Sequence, residues 1–529
     1  MPRTPLAQRL QETVSVVAEA AERGTCVERV VEERTTRREL LKRGGAAGVT
    51  VAAAGTFARV ARAAHGVVQP RIAVVGAGLA GLTCAYRLQQ AGVNAQVYEV
   101  HPTRVGGRCW TIRDFADGQI AEHGGELIDQ GHLELRQLVQ ELGLGTDNLL
   151  TAQPNGTEDF FFFDGTRYPY AQVVNDLQDI YQKLHSDLSK ASYPTLFDSF
   201  TERGFELDHL SVIDWLNESI PNGGASSKLG QLLDVAYNIE YGAESSVQSS
   251  LNLIYLLGYQ GPGNFRVFGK SNEKYHVRGG NDQVPIRLGE LLADQLNMGS
   301  ELIAIKQNSG GSFTLTFHQG SGTLTTTVDH VVLAIPFSIL RNVNYAKAGF
   351  GPVKVTAIEE LGMGTNSKLH VQFDDRFWYG VGNNGNTYAD TGYQNTWEVT
   401  RSQPGNKGIL VDYTGGKIGA SFGSGTPSSR AQQFFTQIQP LFPPTLKVAD
   451  HWTGQATIDF WTAYPWTKGS YSYWKVGQYT TFSGIEHRRE GNCHFCGEHC
   501  SQDFQGYLNG AVQTGQDAAA EVLGDLKHA

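Results

Sequence analysis

The sequence predicts an α/β fold built around a Rossmann-like unit that binds a dinucleotide. An apolar, β-branched strand is expected at residues 72–75, followed by a turn with glycines at positions 76, 78 and 81. A helix is expected from the end of this turn to about Gln90. Strand, glycine turn and helix in this order are typical of a dinucleotide-binding βαβ unit.

Each residue type in this turn suits a bound pyrophosphate. Gly76 allows the tight turn, Gly78 lets backbone N–H groups approach the anion, and Gly81 lets helix and strand pack closely. We expect Ala80, in the first helical turn, to lie at the cofactor as well. Glu99 ends the next strand and can bind ribose hydroxyls. A glycine-rich turn in an unrelated α/β unit is the alternative, but the order of all these parts favours the dinucleotide.

Composition bounds the remaining possibilities. The chain has 529 residues, which by length allows three or four structural units. Its 53 acidic residues outnumber its 43 basic residues and give a net charge of −10. No basic stripe is available to neutralise phosphates, so we expect no nucleic-acid partner.

The N-terminal region predicts export. Residues 36–42 read Thr-Arg-Arg-Glu-Leu-Leu-Lys, which is similar to a twin-arginine export signal, and a weakly apolar stretch and a small-x-small motif follow it. The apolar stretch is too short for a membrane span, which needs ~20 residues. We therefore expect an exported protein and place residues 1–65 outside the catalytic fold. An amphipathic N-terminal helix or a propeptide remains the alternative.

The cysteines near the C-terminus raise the question of a metal. Cys493, Cys496 and Cys500 alternate with His494 and His499 in a manner that resembles zinc ligands. A strand running into a loop is the better interpretation, and alternation along a strand sends neighbouring side chains to opposite faces. We expect buried, reduced thiols and no metal site, with metal binding or a disulfide that uses Cys500 as the alternatives.

A second glycine pair specifies the cofactor. Gly106, Gly107 and Arg108 follow Glu99 closely, and this whole segment resembles the FAD-binding N-terminus of the flavin amine oxidase family. The resemblance extends from about residue 70 to residue 525 and implies FAD as cofactor. It also implies that Arg108 lies near the cofactor phosphates and the flavin.

Further family motifs occur in the expected order. Residues 121–129 resemble the loop that passes under the flavin ring, and residues 277–288 resemble a glycine turn leading into a helix. A strand at 301–306 follows, in which Leu302 matches the family's backbone contact to adenine. Residues 331–336 read as a buried strand that closes the cofactor sheet.

The resemblance also implies the domain organisation. A discontinuous FAD-binding domain is expected to be accompanied by an α+β substrate-binding domain with a mixed sheet. The FAD-binding domain takes residues 66–144, 271–345 and 481–529, and the substrate-binding domain takes residues 145–270 and 346–480.

Four side chains carry the roles that the family assigns to its active site. Lys368 lies in an apolar strand pattern and matches a lysine bridged by water to flavin N5; a solvent-facing lysine is the alternative. Tyr471 and Tyr507 match an aromatic cage for the substrate amine, although either could belong to the core. Glu498 matches the acid that holds the ribityl chain.

Two departures from the family pattern bear on chemistry. Ser470 stands where covalently flavinylated members have cysteine, so we expect non-covalent FAD. Glu126 lies where many amino-acid oxidases have a carboxylate-binding arginine, which weakens an amino-acid assignment.

The predicted activity is oxidative deamination of a primary amine, with an L-α-amino acid considered first and a monoamine or polyamine second. The glycine fingerprint is also compatible with a desaturase-like flavin oxidoreductase or a non-enzymatic flavin-binding protein. The expected partners are the substrate and dioxygen, and a homodimer is left open.

Overall fold

The computed structural model of the chain describes residues 70–258 and 271–528. The predicted export signal lies outside these residues. Numbered in chain order, the strands are β1 (Ile72–Val75), β2 (Gln96–Glu99), β3 (Thr111–Ile112), β4 (Ala121–Glu122), β5 (Thr146–Asn148), β6 (Glu158–Phe163), β7 (Thr166–Arg167), β8 (Tyr275–Val277), β9 (Leu296–Met298), β10 (Ser300–Gln307), β11 (Phe313–Gln319), β12 (Gly322–Val328), β13 (His330–Leu333), β14 (Asn344–Lys347), β15 (Gly362–Met363), β16 (Ser367–Phe373), β17 (Asn383–Ala389), β18 (Asn395–Glu398), β19 (Gly408–Thr414), β20 (Trp452–Phe460), β21 (Ser472–Tyr473) and β22 (Cys493–Phe495). The α-helices are α1 (Leu79–Gln90), α2 (Leu133–Glu141), α3 (Tyr170–Ala191), α4 (Glu202–Asp208), α5 (Val212–Ser219), α6 (Lys228–Tyr241), α7 (Ser250–Leu257), α8 (Gln283–Leu291), α9 (Phe337–Leu340), α10 (Pro352–Glu360), α11 (Gly416–Ala420), α12 (Pro427–Ile438), α13 (Gln478–Phe482) and α14 (Leu508–His528).

A parallel five-stranded sheet, in the order β22-β13-β1-β2-β9, carries the glycine turn. Every residue of β1 and β13 is buried, as expected for parallel strands covered on both faces. The predicted α/β unit is confirmed. One detail was wrong, because β13 does not close the sheet: β22 pairs with it and forms the edge.

Helix α14 packs beside α1, and both cover one face of this sheet. The two helices approach closely, since a Cβ on Gly515 would lie 2.3 Å from the carbonyl oxygen of buried Ala80. Helix α14 begins at Leu508. Gly506 has a φ of +85°, which is incompatible with a right-handed helix at that position.

The second large sheet is mixed, as predicted. Its order is β20-β16-β19-β18-β17-β6-β7, with β17 and β6 parallel and the other neighbours antiparallel. Helix α12 packs its apolar residues against one face of this sheet. Helices α3 to α7 occupy most of residues 170–257, where the sequence predicted mainly helix.

A third sheet, in the order β12-β11-β10-β14, contains Leu302. The contacts of the chain separate Met1–Gln69 from Pro70–Ala529. Apart from residues 66–69, both predicted domains fall in the second unit, and their boundaries stay a prediction. Among the described residues, no helix combines the length and the apolar character that a bilayer crossing requires.

Candidate active site

The glycine turn between β1 and α1 leaves the helix N-terminus accessible. Gly76 has a φ of +103°, a conformation that side chains disfavour. A Cβ on Gly81 would lie 2.0 Å from the carbonyl oxygen of Gly76, so only glycine fits there. Gly78 directly precedes α1, and a Cβ on it would meet no atom within 4 Å. The open space beside Gly78 suits an anion bound by helix N–H groups.

The second glycine pair lies against this turn. The N–H of Gly106 donates to the carbonyl oxygen of Ala77 at 2.8 Å, and a Cβ on Gly107 would lie 3.5 Å from the Cα of Gly78. The carboxylate of Glu99 accepts the Ala77 N–H at 2.6 Å. Its oxygens keep lone pairs that a ribose hydroxyl can use. The structure thus brings the predicted cofactor residues of this region together.

Arg108 joins this region to the C-terminal motif. Its Nη1 donates to Glu498 Oε1 at 2.8 Å and to the carbonyl oxygen of Ser470 at 2.8 Å. Glu498 also accepts the hydroxyl of Ser472 and the N–H of Gly506. Burial alone raises the pKa of Glu498, but the Arg108 charge and these hydrogen bonds hold that pKa below its usual value. Residues 390 positions apart therefore form one charged pair.

Lys368 is buried rather than solvent-facing, with 4% of its surface exposed. Its Nζ donates to the carbonyl oxygens of Glu122 at 3.0 Å and Gly124 at 2.9 Å, and to Glu126 Oε2 at 2.8 Å. Trp397 Nε1 donates to the other Glu126 oxygen at 2.8 Å. Burial raises the pKa of Glu126, but Lys368 and Trp397 more than offset this and lower it below the usual value. Lys368 therefore fixes the loop that the sequence predicted to pass under the flavin.

The two predicted cage tyrosines lie close together. Tyr471 packs against Gly506, whose Cβ would lie 3.4 Å from the ring. The Tyr471 hydroxyl is 2.8 Å from that of Tyr413. The Tyr507 hydroxyl donates to Glu240 Oε1 at 2.8 Å. Burial raises the pKa of both cage tyrosines, so both remain neutral phenols.

Sequence reasoning missed two carboxylates of this region, Glu240, which contacts Tyr507, and Glu273, whose charge acts on Tyr413. Burial raises the pKa of Glu240 to about 7, although its hydrogen bond from Tyr507 acts in the opposite direction. Burial, reinforced by Asp129, raises the pKa of Glu273 to about 8. The N–H of Glu273 donates to Asp129 Oδ1 at 2.6 Å. A bound cation would stabilise the charged forms of these acids.

One buried guanidinium lies near the acids. Arg401 is 8% exposed, and its Nε donates to the carbonyl oxygen of Glu398 at 3.1 Å. Its charge acts on Glu273, opposing the effect of burial on that pKa. Of these residues, only Glu240 could have been found from the sequence, because it falls on the apolar face of α6, three residues after buried Tyr237. Nothing local in the sequence distinguishes Glu273 or Arg401.

Leu302 and Ser470 have the following surroundings, and their predicted roles at the cofactor stay predictions. Leu302 pairs across the strand with Phe317, whose ring stacks on Tyr98 at 4.3 Å, beside the end of β2. The Ser470 hydroxyl donates to Asn366 Oδ1 at 2.6 Å. Among the described residues the cysteines are free and buried, as predicted.

These residues fit FAD. The space at Gly78 can take a pyrophosphate, and Glu99 can take a ribose. Arg108 belongs to the second glycine motif and pairs with Glu498, and Glu498 accepts the N–H of Gly506, which packs against the cage tyrosine Tyr471. The fit rests on shape and donor chemistry together, because the open helix N-terminus favours anions.

The chain is similar to known proteins over most of its length. The model of the family described as flavin containing amine oxidoreductase matches residues 79–523. Polyamine oxidase 1 of Zea mays is 23% identical, covering 89% of this chain and 95% of that protein. The L-amino-acid oxidase of Pseudechis australis is 22% identical, covering 85% of this chain and 86% of that protein.

Among solved structures, a double mutant of putrescine oxidase superimposes with a TM-score of 0.74 at 21% identity, covering 86% of this chain and 99% of that one. This likeness shows a shared fold. Because the family model spans most of the chain, the protein belongs to the flavin containing amine oxidoreductase family.

Proposed function

We propose that the protein is an FAD-dependent oxidase that deaminates a primary amine carrying a second positive charge, such as a diamine. The observation that supports this is a pair of carboxylates near the cage tyrosines: Glu240 contacts Tyr507, and the charge of Glu273 acts on Tyr413, whose hydroxyl contacts that of Tyr471. Glu240 and Glu273 have pKa values raised to about 7 and about 8, respectively. When a cation binds next to an acid whose pKa is raised by burial, it stabilises the charged form of that acid.

The charge distribution favours an amine over the L-α-amino acid that the sequence favoured first. The acids that act on the cage tyrosines are Glu240, Asp129 and, through Tyr413, Glu126 and Glu273. A substrate carboxylate placed among them would find no opposite charge on these acids and would oppose their ionisation, which is unfavourable. A diamine would place an ammonium there instead.

Bound FAD would supply the hydride acceptor for the carbon that bears nitrogen, water would hydrolyse the resulting imine to an aldehyde and ammonia, and dioxygen would take up the electrons as hydrogen peroxide. The protein must hold the amine between Tyr471 and Tyr507 and remove its proton first. Glu240 suits the second task, because its carboxylate contacts Tyr507 and its pKa of about 7 allows it to accept a proton near neutral pH.

Lys368 has a positioning role in this proposal. An ammonium has three N–H donors, and three acceptors on the loop of residues 122–126 take them. The water bridge to flavin N5 that the family resemblance implies would replace one of these acceptors.

An L-amino-acid oxidase is the second candidate, and Arg401 is the observation that favours it. Its buried guanidinium lies within electrostatic reach of Glu273 and has the planar donor geometry that binds carboxylates. In that case the Arg401→Met variant would lose amino-acid oxidation but retain FAD.

A peroxide assay distinguishes the two candidates. The purified protein is given putrescine, butylamine, larger polyamines and the common amino acids. We expect kcat/KM for putrescine to exceed that for butylamine, which lacks the second charge, by roughly tenfold or more, since a hydrogen bond to a charged group contributes about 1.5–3 kcal/mol. A protein that oxidises amino acids but no amine would contradict the proposal. The absence of peroxide with every compound would contradict both candidates.

A matched pair of variants tests the acids. Glu273→Gln should raise the KM for putrescine roughly tenfold or more and change the KM for butylamine less. Glu218→Gln removes the same charge at an exposed position and should leave both values unchanged. Equal effects of Glu273→Gln on both amines would refute its role at the second ammonium.

Non-covalent FAD and export complete the proposal. Ser470 supports the first, since its hydroxyl is engaged with Asn366 and serine provides no thioether to the flavin. Acid precipitation should release free flavin, and flavin retained in the pellet would contradict non-covalent binding.

For export, replacing Arg37 and Arg38 with lysine should leave the protein in the cytoplasm of a producing bacterium. Unchanged export would contradict a twin-arginine route.

A further inference from the structure

We propose that His330, His494 and Asp525 bind one divalent transition-metal ion of the zinc type. The site lies at the end of the five-stranded sheet opposite the glycine turn, because His330 begins β13 and pairs with Ile72 at the start of β1. It is therefore separate from the candidate active site. The sequence alone led us to expect no metal, and the tertiary structure changes that expectation.

The three potential ligand atoms have the spacing that a metal requires. His330 Nδ1 lies 3.5 Å from His494 Nε2, and Asp525 Oδ2 lies 3.8 Å from each of those nitrogens. In a triangle with these sides, the point equidistant from the corners lies about 2.1 Å from each. Zinc binds histidine nitrogen at about 2.0–2.1 Å and carboxylate oxygen at about 2.0–2.2 Å.

Without an ion, the two histidines do not form a good hydrogen bond with each other. A nitrogen–nitrogen separation of 3.5 Å exceeds that of a good hydrogen bond, which is about 2.7–3.2 Å. Both rings are buried, with His494 fully inaccessible and His330 7% exposed. Asp525 is 25% exposed and leaves a route for an ion from solvent.

A carboxylate already orients one of the ligands. Glu521 Oε2 lies 2.7 Å from His494 Nδ1. A proton on Nδ1 satisfies this contact and leaves Nε2, the atom that faces the other two groups, with a free lone pair. Carboxylate–histidine–metal arrangements of this kind recur around bound zinc.

Arg489 competes with the ion. Its Nη1 donates to both Asp525 oxygens, at 2.6 and 2.5 Å, and neutralises that carboxylate. Two nitrogens and one oxygen are donors that zinc accepts, with a water completing four-coordination. Such an ion would tie the C-terminal end of α14 to strands β13 and β22.

The test uses the FAD-loaded protein, first stripped with EDTA and then given zinc chloride. After gel filtration, we expect about one zinc per chain by elemental analysis and a rise in the thermal unfolding midpoint of roughly 2–4 °C. Asp525→Asn should lose both effects, and His330→Asn provides a second variant. Arg489→Gln should bind zinc more tightly than the unchanged protein.

The exposed group Asp374, Asp375 and His451 is the matched control, because it also brings three potential ligands, here two acids and one histidine, within ligand distance. Asp375→Asn should not alter zinc binding. Less than a tenth of an equivalent of zinc on the unchanged protein would overturn the proposal. Full zinc retention in both Asp525→Asn and His330→Asn would also overturn the proposal. If neither variant folds, weaker zinc binding by Arg489→Gln than by the unchanged protein would overturn it.

Discussion

Replacing Lys368 with methionine tests the buried ion pair at the centre of the site. Lys368 and Glu126 are 4% and 8% exposed, and Lys368 Nζ lies 2.8 Å from Glu126 Oε2. Removing one partner of such a buried pair typically destabilises a protein by about 3–5 kcal/mol, since the other charge stays buried. We therefore expect Lys368→Met to lower the free energy of unfolding by about this amount at pH 7.

The loss should depend on pH. In the unchanged protein the folded-state pKa of Glu126 is depressed, so its stabilisation is present above the unfolded pKa of about 4.3 and disappears as pH falls through the folded value. In Lys368→Met, burial is opposed only by Trp397 and His276 and raises that pKa, so the variant loses stability as pH rises through it. The difference between the two proteins should therefore grow from pH 5 to pH 7.

Denaturant unfolding followed by tryptophan fluorescence measures this difference, and Glu126→Gln in the same background should recover part of the loss. Lys354→Met is the matched control. Lys354 is also buried but donates to two backbone carbonyls, and burial lowers its pKa to about 8, so it stays charged throughout this window. Its effect should be constant from pH 5 to pH 7. A loss below about 1 kcal/mol for Lys368→Met, or one independent of pH, would refute the reasoning.

Three further changes have defined outcomes. Arg108→Met leaves Glu498 buried without its ion pair and should weaken FAD binding roughly tenfold or more, measured by flavin absorbance after gel filtration; unchanged retention would contradict the role of Arg108. Tyr507→Phe removes the hydrogen bond that lowers the pKa of Glu240, so the acidic limb of the kcat/KM profile should move to higher pH, and an unmoved limb would exclude Glu240 as the base. Gly81→Ala places a methyl group 2.0 Å from the carbonyl oxygen of Gly76 and should abolish FAD binding, whereas normal flavin content would show that the turn can adjust.

The cofactor region could be predicted from sequence because its signals are local. Gly76, Gly78 and Gly81 act within one turn, and β1, α1 and Glu99 lie within thirty residues of each other. The family pattern then supplied Arg108 and Glu498, which the structure joins at 2.8 Å.

The substrate side could not be predicted in the same way, because its charges meet only through tertiary structure. Glu240 comes from α6, Glu273 precedes β8 and Arg401 follows β18. Glu240 lies on the apolar face of α6, but Glu273 and Arg401 show no local pattern that separates them from surface residues. The proposed metal site at the far end of the sheet could not be predicted for the same reason, because the pairing of β13 with β22 brings His330 and His494 together.

Anaerobic mixing of the FAD-loaded protein with putrescine tests the central claim most directly. We predict rapid loss of the flavin's visible absorbance, followed by its return with an equal amount of hydrogen peroxide when dioxygen is admitted. A flavin that putrescine and larger polyamines leave oxidised, while an amino acid reduces it, would contradict the claim that this site oxidises a doubly charged amine.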